Sequence, residues 1–159
     1  MTVTLPHEWA KIHAERTPEA PAVVFEASTL SYSELDRRAD AHARQLRDAQ
    51  IGEGDLVAVD AVSTIDTVVA LVGTHRLGAV AVPRGSNTID TAMSVDPAAY
   101  VVVPTSGSSG SPRGVILTGR NVTAAVEASQ RRLGNGPDDR WLLTLPLFHV
   151  GGLSILWRS

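Results

Sequence analysis

The chain has 159 residues, 43% apolar and 19% charged, which is enough for one core burying roughly 68–70% of the unfolded surface. A net charge of −3 leaves no basic footprint for nucleic acid, and the absence of cysteine excludes disulfides and thiolate metal sites. No basic leader precedes an apolar stretch at the amino terminus and no apolar run approaches a membrane span, so the expectation is a cytoplasmic chain without membrane contact.

In chain order, Trp9, Ile12 and His13 recur at helical spacing and predict a helix over 6–16, stopped by Pro18 and Pro21. A strand over 22–26 turns at Ala27-Ser28-Thr29 into a short strand at Leu30. Ser31-x-x-Glu34 reads as a capping box opening a helix to about Ala49, with Leu35, Ala39, Ala43 and Leu46 inward. Arg37, Arg38, Arg44 and Arg47 read as its solvated face. A strand over 56–61 follows the turn Gly52-Glu53-Gly54-Asp55. Ser63 or Thr64 then caps a helix to about Leu77, with Ile65, Val68, Val69 and Val72 inward, and residues 79–83 form the next strand. Strands alternating with helices at this spacing predict βαβ units, hence an α/β fold with a layered, mainly parallel sheet and flanking helices. Residues 84–97 are polar and read as a surface loop.

Two short aliphatic runs, Tyr100-Val101-Val102-Val103 and Val115-Ile116-Leu117, read as buried strands. Between them lies Pro104-Thr105-Ser106-Gly107-Ser108-Ser109-Gly110-Ser111-Pro112-Arg113-Gly114. Glycines allow close backbone approach, hydroxyls add donors, and Arg113 supplies one cation: the chemistry of a polyphosphate cradle. The spacing fits neither the Walker loop, which needs Gly-Lys-Ser/Thr, nor the dinucleotide fingerprint nor the nucleophile elbow. A Gly/Ser linker is the plain alternative, and the flanking core strands argue against it. Thr118 then caps a helix over 119–133 with Val122, Val126, Ser129 and Leu133 inward, ended by Gly134-Asn135-Gly136-Pro137. Residues 141–145 read as another core strand, leading into Pro146-Leu147-Phe148-His149-Val150-Gly151-Gly152 and a closing apolar helix. His7, His13, His42 and His75 read as surface or helix-face residues without metal-type pairing, and no metal site is predicted. Trp9, Trp141 and Trp157 read as packing, and Asp55, Asp60 and Asp66 as turn or strand-end residues that nothing pairs as acid and base.

The loop Thr105-Ser106-Gly107-Ser108-Ser109-Gly110-Ser111-Pro112-Arg113-Gly114 resembles the phosphate signature of the adenylate-forming enzymes, the superfamily of acyl-CoA synthetases, peptide-synthetase adenylation domains and luciferases. One position departs: the family usually carries lysine where this chain has Arg113, which keeps the charge in a planar fork. The 146–152 motif resembles the family's next signature, at the distance the family would give. Thr17-Pro18-Glu19-Ala20-Pro21-Ala22, Ser31-Tyr32-Ser33-Glu34-Leu35, Gly54-Asp55-Leu56-Val57-Ala58 and Leu77-Gly78-Ala79-Val80-Ala81-Val82-Pro83 resemble its amino-terminal part. The short connection after Pro83 resembles the compact o-succinylbenzoate–CoA ligases of menaquinone synthesis.

The resemblance implies an ATP-dependent acid–CoA ligase that uses ATP, Mg2+ and coenzyme A on a carboxylic acid substrate. It implies that Thr105, Ser106, Gly107, Ser108, Ser109, Gly110, Arg113 and Gly114 bind the β- and γ-phosphates. It implies further that Phe148, His149, Gly151 and Gly152 line the acyl pocket, with His149 as the catalytic candidate at the thiol entrance. Residues 1–159 then correspond to an incomplete amino-terminal domain, with no segment like the later Mg2+ motif or the carboxy-terminal domain and its lysine; Lys11 is the only lysine here. The expectation is inactivity alone and self-association, or a missing carboxy-terminal portion. Two alternatives are a non-catalytic scaffold with a relic loop and an amidase-type serine hydrolase, which would need a lysine partner that Lys11, in the first helix, does not supply.

Overall fold

The computed structural model describes residues 6–85, 89, 91, 95–105, 113–136 and 138–159. Helix α1 (Pro6–Arg16) leads into the antiparallel hairpin β1 (Pro21–Phe25) and β2 (Ser28–Ser31). Helix α2 (Tyr32–Asp48) starts at Ser31, whose hydroxyl accepts from the Glu34 backbone N–H at 3.3 Å. The expected box closes only halfway. Glu34 turns outward to Arg37, with hydrogen bonds of 2.6 and 3.0 Å, because a guanidinium one turn along the helix outcompetes a neutral backbone donor for a carboxylate. Leu35, Ala39 and Ala43 are buried, as their spacing predicts.

Strands β3 (Leu56–Asp60), β4 (Val80–Arg84) and β5 (Ala99–Thr105) are parallel neighbours, and β6 (Arg113–Thr118) runs antiparallel on the outer edge of β5. Helix α3 (Ile65–Arg76) crosses from β3 to β4, capped by the Thr64 hydroxyl and released through Gly78 at φ +80°. Arg76 at its end fastens α3 to α2: it donates to the Asp36 carbonyl at 3.0 Å and to Asp40 at 2.7 Å. Alternation along the strands separates two faces. Val57, Val59, Ala81, Val101 and Val103 face Leu71 of α3 and Leu153, while Val80, Val82 and Val102 face the other way.

Ile89 and Val95 pack on that second face, so the 84–97 connection, read as a polar surface loop, supplies apolar cover for the sheet. Helix α4 (Gly119–Leu133) carries a complete Thr118–Asn121 capping box and stops at Gly134 in the left-handed region. Helix α5 (Val150–Arg158) closes the chain with Leu153 buried against the main core.

Three packing expectations fail. Strand β6 is not buried: Val115 and Ile116 remain 46% and 39% exposed, because an edge strand has a neighbour on one side only. Residues 141–145 form no strand, since no strand among the described residues pairs with them; Leu143 packs inward while Leu142 and Leu145 stay exposed. Leu133 is exposed at the last residue of α4, just before the Gly134 cap.

Candidate functional site

The parallel strands end together at Asp60, Arg84 and Thr105, and in open α/β sheets that carboxyl edge is where ligands bind. Thr105 closes β5 directly opposite Arg113 at the start of β6, and its hydroxyl donates to the Arg113 carbonyl at 3.0 Å. The strand pair therefore holds both ends of the glycine-rich loop together at this edge. Ser106, Gly107, Ser108, Ser109 and Gly110 lie outside the described residues. Arg113 is exposed, its guanidinium available to an anion at the mouth of the loop. Gly114 is held by packing: a Cβ there would stand 2.6 Å from Val102 Cγ1 and 3.0 Å from Ile89 Cδ1. Glycine at 114 leaves room for Val102 and Ile89 to pack on the second sheet face.

The second motif reaches the same edge by another route. The Phe148 ring packs against Gly85, directly after β4; a Cβ on Gly85 would sit 2.5 Å from Phe148 Cγ. Phe148 and His149 hold their rings 4.4 Å apart at 53°. Adjacent strands stand about 4.8 Å apart, so a ring over the end of β4 is next door to the loop that leaves β5. His149 is the N-cap residue of α5, exposed, with its backbone N–H on the Pro146 carbonyl at 3.1 Å. Gly151 and Gly152 open α5. A Cβ on Gly152 would meet the Pro146 carbonyl oxygen at 2.3 Å, so this glycine lets the first helical turn lie against residues 145–146.

Sequence reasoning missed three residues of this edge. Gly85 stood in a segment read as featureless loop. Asp60 and Arg84 face each other in the β3–β4 register and form an ion pair at 2.7 Å, so Asp60 has a partner. The signal was there: both are the last residues of neighbouring parallel strands. His75 also departs from expectation. It is buried on the inner face of α3, with its ring 3.7 Å from that of Tyr100 and nearly parallel to it, because the apolar faces of α3 and β5 meet there. Burial lowers its pKa from 6.5 to about 3 and raises that of Tyr100, so both rings stay neutral. No helix among the described residues is long and apolar enough to cross a membrane.

A family model described as AMP-binding enzyme matches residues 10–95 and 85–159. The chain belongs to the AMP-binding enzyme family. The two matched stretches meet in the β4–β5 connection, the segment that sequence reasoning found short. The 2-succinylbenzoate–CoA ligase of Bacillus anthracis is 26% identical across the whole chain, in an alignment of 204 positions that covers 42% of that enzyme. Its counterpart in Bacillus cytotoxicus is 48% identical over 61 residues, 38% of the chain.

Among solved structures, o-succinylbenzoate coenzyme A synthetase from Bacillus subtilis in complex with AMP superposes with a TM-score of 0.83 at 26% identity, over 95% of this chain and 52% of that one. The same enzyme with ATP and magnesium ion gives 0.82 at 25% identity, over 95% and 54%. VinN bound to 3-methylaspartate gives 0.86 at 18% identity, which shows the shared fold alone. The chain spans about two fifths of the length of the curated relatives it matches.

Proposed function

We propose that this chain supplies the phosphate-binding part of an ATP-dependent acid–CoA ligase, and that its acid is o-succinylbenzoate or a related aryl acid. The supporting observation is the convergence of two family motifs on one sheet edge: Thr105 and Arg113 at the mouth of the loop, Phe148 and His149 beside the end of β4. The names of the relatives support the choice of acid and of coenzyme A as acceptor.

In that reaction a carboxylate oxygen bonds to the α-phosphorus of ATP, the bond to the β-phosphate oxygen breaks, and pyrophosphate leaves. The thiol of coenzyme A then displaces AMP to give the thioester. The contribution of this chain is positional and electrostatic. Arg113 and the hydroxyls of residues 105–109 hold the β- and γ-phosphates and balance the charge that builds on the leaving pyrophosphate. Phe148 packs against the acyl group. His149, exposed at the start of α5, lines the approach of the thiol. Mg2+ would neutralise phosphate charge, but no group of three His, Cys, Asp or Glu among the described residues is placed to hold it.

The test is an ATP titration of the chain and its Arg113→Ala and Arg113→Lys forms. Loss of one charge-assisted contact weakens binding by about 1–3 kcal/mol for alanine, and by less for lysine. Equal affinities would remove Arg113 from the site. A second reading, a non-catalytic chain that pairs with another polypeptide, draws support from the exposed Val115 and Ile116 on β6. Failure to bind ATP together with capture of a partner along β6 would favour it.

A further inference from the structure

Strand β6 is the outer strand of the four-stranded sheet, and among the described residues it has a ladder partner, β5, on one side only. Protein sheets usually blunt such an edge with charge, proline or a bulge. Gly114, Val115, Ile116 and Leu117 include no charge and no proline, and Val115 and Ile116 are exposed. Both ends of the strand are marked. At one end stands the cation Arg113. At the other, the Thr118 backbone N–H donates to Asn121 Oδ1 at 2.9 Å, in the box that starts α4. The free edge is therefore 113–117.

The two faces of this edge differ. Leu117 packs against the main core, and Val115 stands opposite Val103 of that core, so Arg113, Val115 and Leu117 share the inner face. A Cβ on Gly114 would point at Val102 and Ile89, so Gly114 and Ile116 share the second face. Ile89 is only half-buried there. We propose that β6 pairs with β6 of a second copy of this chain, antiparallel about a two-fold axis normal to the sheet and passing through Val115, so that the two four-stranded sheets become one.

Charge selects the direction. Parallel pairing would set two Arg113 side by side, about 5 Å apart, and β6 carries no acid to balance them. Antiparallel pairing about Val115 sets them about 14 Å apart, beyond the screening length of about 8 Å in physiological salt. Backbone and side chains select the register. A two-fold axis normal to the sheet keeps inner face beside inner face, so Val115 meets the partner's Val115 and the stem of Arg113 lies beside the partner's Leu117. Ile116 stands opposite the partner's Gly114, where no side chain separates it from the Val102 and Ile89 layer. An axis through Ile116 would instead oppose Gly114 to Thr118, whose N–H is committed to Asn121. One strand that serves both copies is an isologous contact, and such a contact closes at two. Both loop mouths stay at the ends of the shared ladder, so the pairing does not rest on the phosphate assignment.

The chain has no cysteine, so one introduced thiol reads the register directly. Opposite residues of an antiparallel pair hold their Cβ atoms about 4.5–5.5 Å apart, close to the reach of a disulfide, while diagonal neighbours stand about 7–8 Å apart, outside it. Val115→Cys, treated with diamide at tens of micromolar, should become mostly a disulfide-linked dimer. Ile116→Cys, diagonal to its own copy across the axis, should link at least fivefold more slowly. On the unaltered chain, which needs no variant to fold, dilution should move the amide signals of Gly114 to Leu117 and leave those of β3 in place. A dilution series without change at β6 would overturn the proposal. So would equal linking at both thiols, which marks random collision, or faster linking at Ile116, which marks another register. An unaltered chain that stays monomeric and takes a different polypeptide along β6 would overturn it as well. Linking at Val115 by a chain that ignores pyrophosphate would refute the phosphate-loop reading and leave this one standing.

Discussion

Acidification should destabilise this protein chiefly through His75. Its ring is 5% exposed, stacked on Tyr100, and its pKa falls from 6.5 to about 3 on folding. The native pKa is the lower one, so between pH 6.5 and 3 the unfolded chain binds the proton and the native chain does not. Stability is therefore present above pH 6.5 and drains as pH falls. At 1.36 kcal/mol per unit, the difference amounts to about 2 kcal/mol by pH 5 and about 3 kcal/mol by pH 4. Those are large shares of a typical domain stability of about 5–15 kcal/mol. Burial lowers the pKa of His42 and His13 as well, so they act in the same direction. The assay is urea unfolding at pH 7, 6 and 5 for the unaltered chain and for His75→Phe, which keeps a ring on Tyr100 and loses the titrating group. The unaltered chain should lose about 2 kcal/mol more than the variant between pH 7 and pH 5. Parallel pH profiles would refute the buried neutral histidine.

Gly152→Ala should destabilise the chain by about 1–3 kcal/mol and shift α5, because the added methyl meets the Pro146 carbonyl; an unchanged thermal midpoint would show that residues 145–146 yield freely. The chain should self-associate at tens of micromolar through the exposed β6 edge, and Val115→Lys with Ile116→Lys should reduce that; light scattering decides, with a clean unaltered monomer as the contrary result. Carboxylate-dependent ATP–pyrophosphate exchange by the 159 residues alone should stay at background, since Lys11 is the one lysine and each missing electrostatic donor costs about 10²–10³ in rate. Exchange well above background, with o-succinylbenzoate among the acids tried, would overturn that expectation.

The local signals of the chain are strong, and they are the ones the structure bears out. Caps at Ser31, Thr64 and Thr118, the stop at Gly78, and the apolar faces of α2 and α3 all lie where short-range chemistry puts them. What the sequence hid is non-local. Val115 and Ile116 have the pattern of a core strand, but edge position is decided by which strands pair, and no residue reports that alone. Residues 141–145 carry the same apolar run and find no ladder. His75 looks like any histidine near a helix end until β5 brings Tyr100 beneath it. Gly85 acquires meaning only once Phe148, more than sixty residues later, rests on it. At the candidate site, Thr105, Arg113 and Phe148 were legible from ordered motifs, while the Asp60–Arg84 pair beside them required the parallel register.

The most direct test of the central claim is where pyrophosphate binds. Titrated into the isotopically labelled chain, it should give saturable amide shifts at Thr105, Arg113 and Gly114, spreading to Gly85 and Phe148 across the end of β4, and Arg113→Ala should weaken the binding at least fivefold. No saturable shift, or shifts centred on α1 and α3 away from that edge, would contradict the assignment of this loop as the phosphate site.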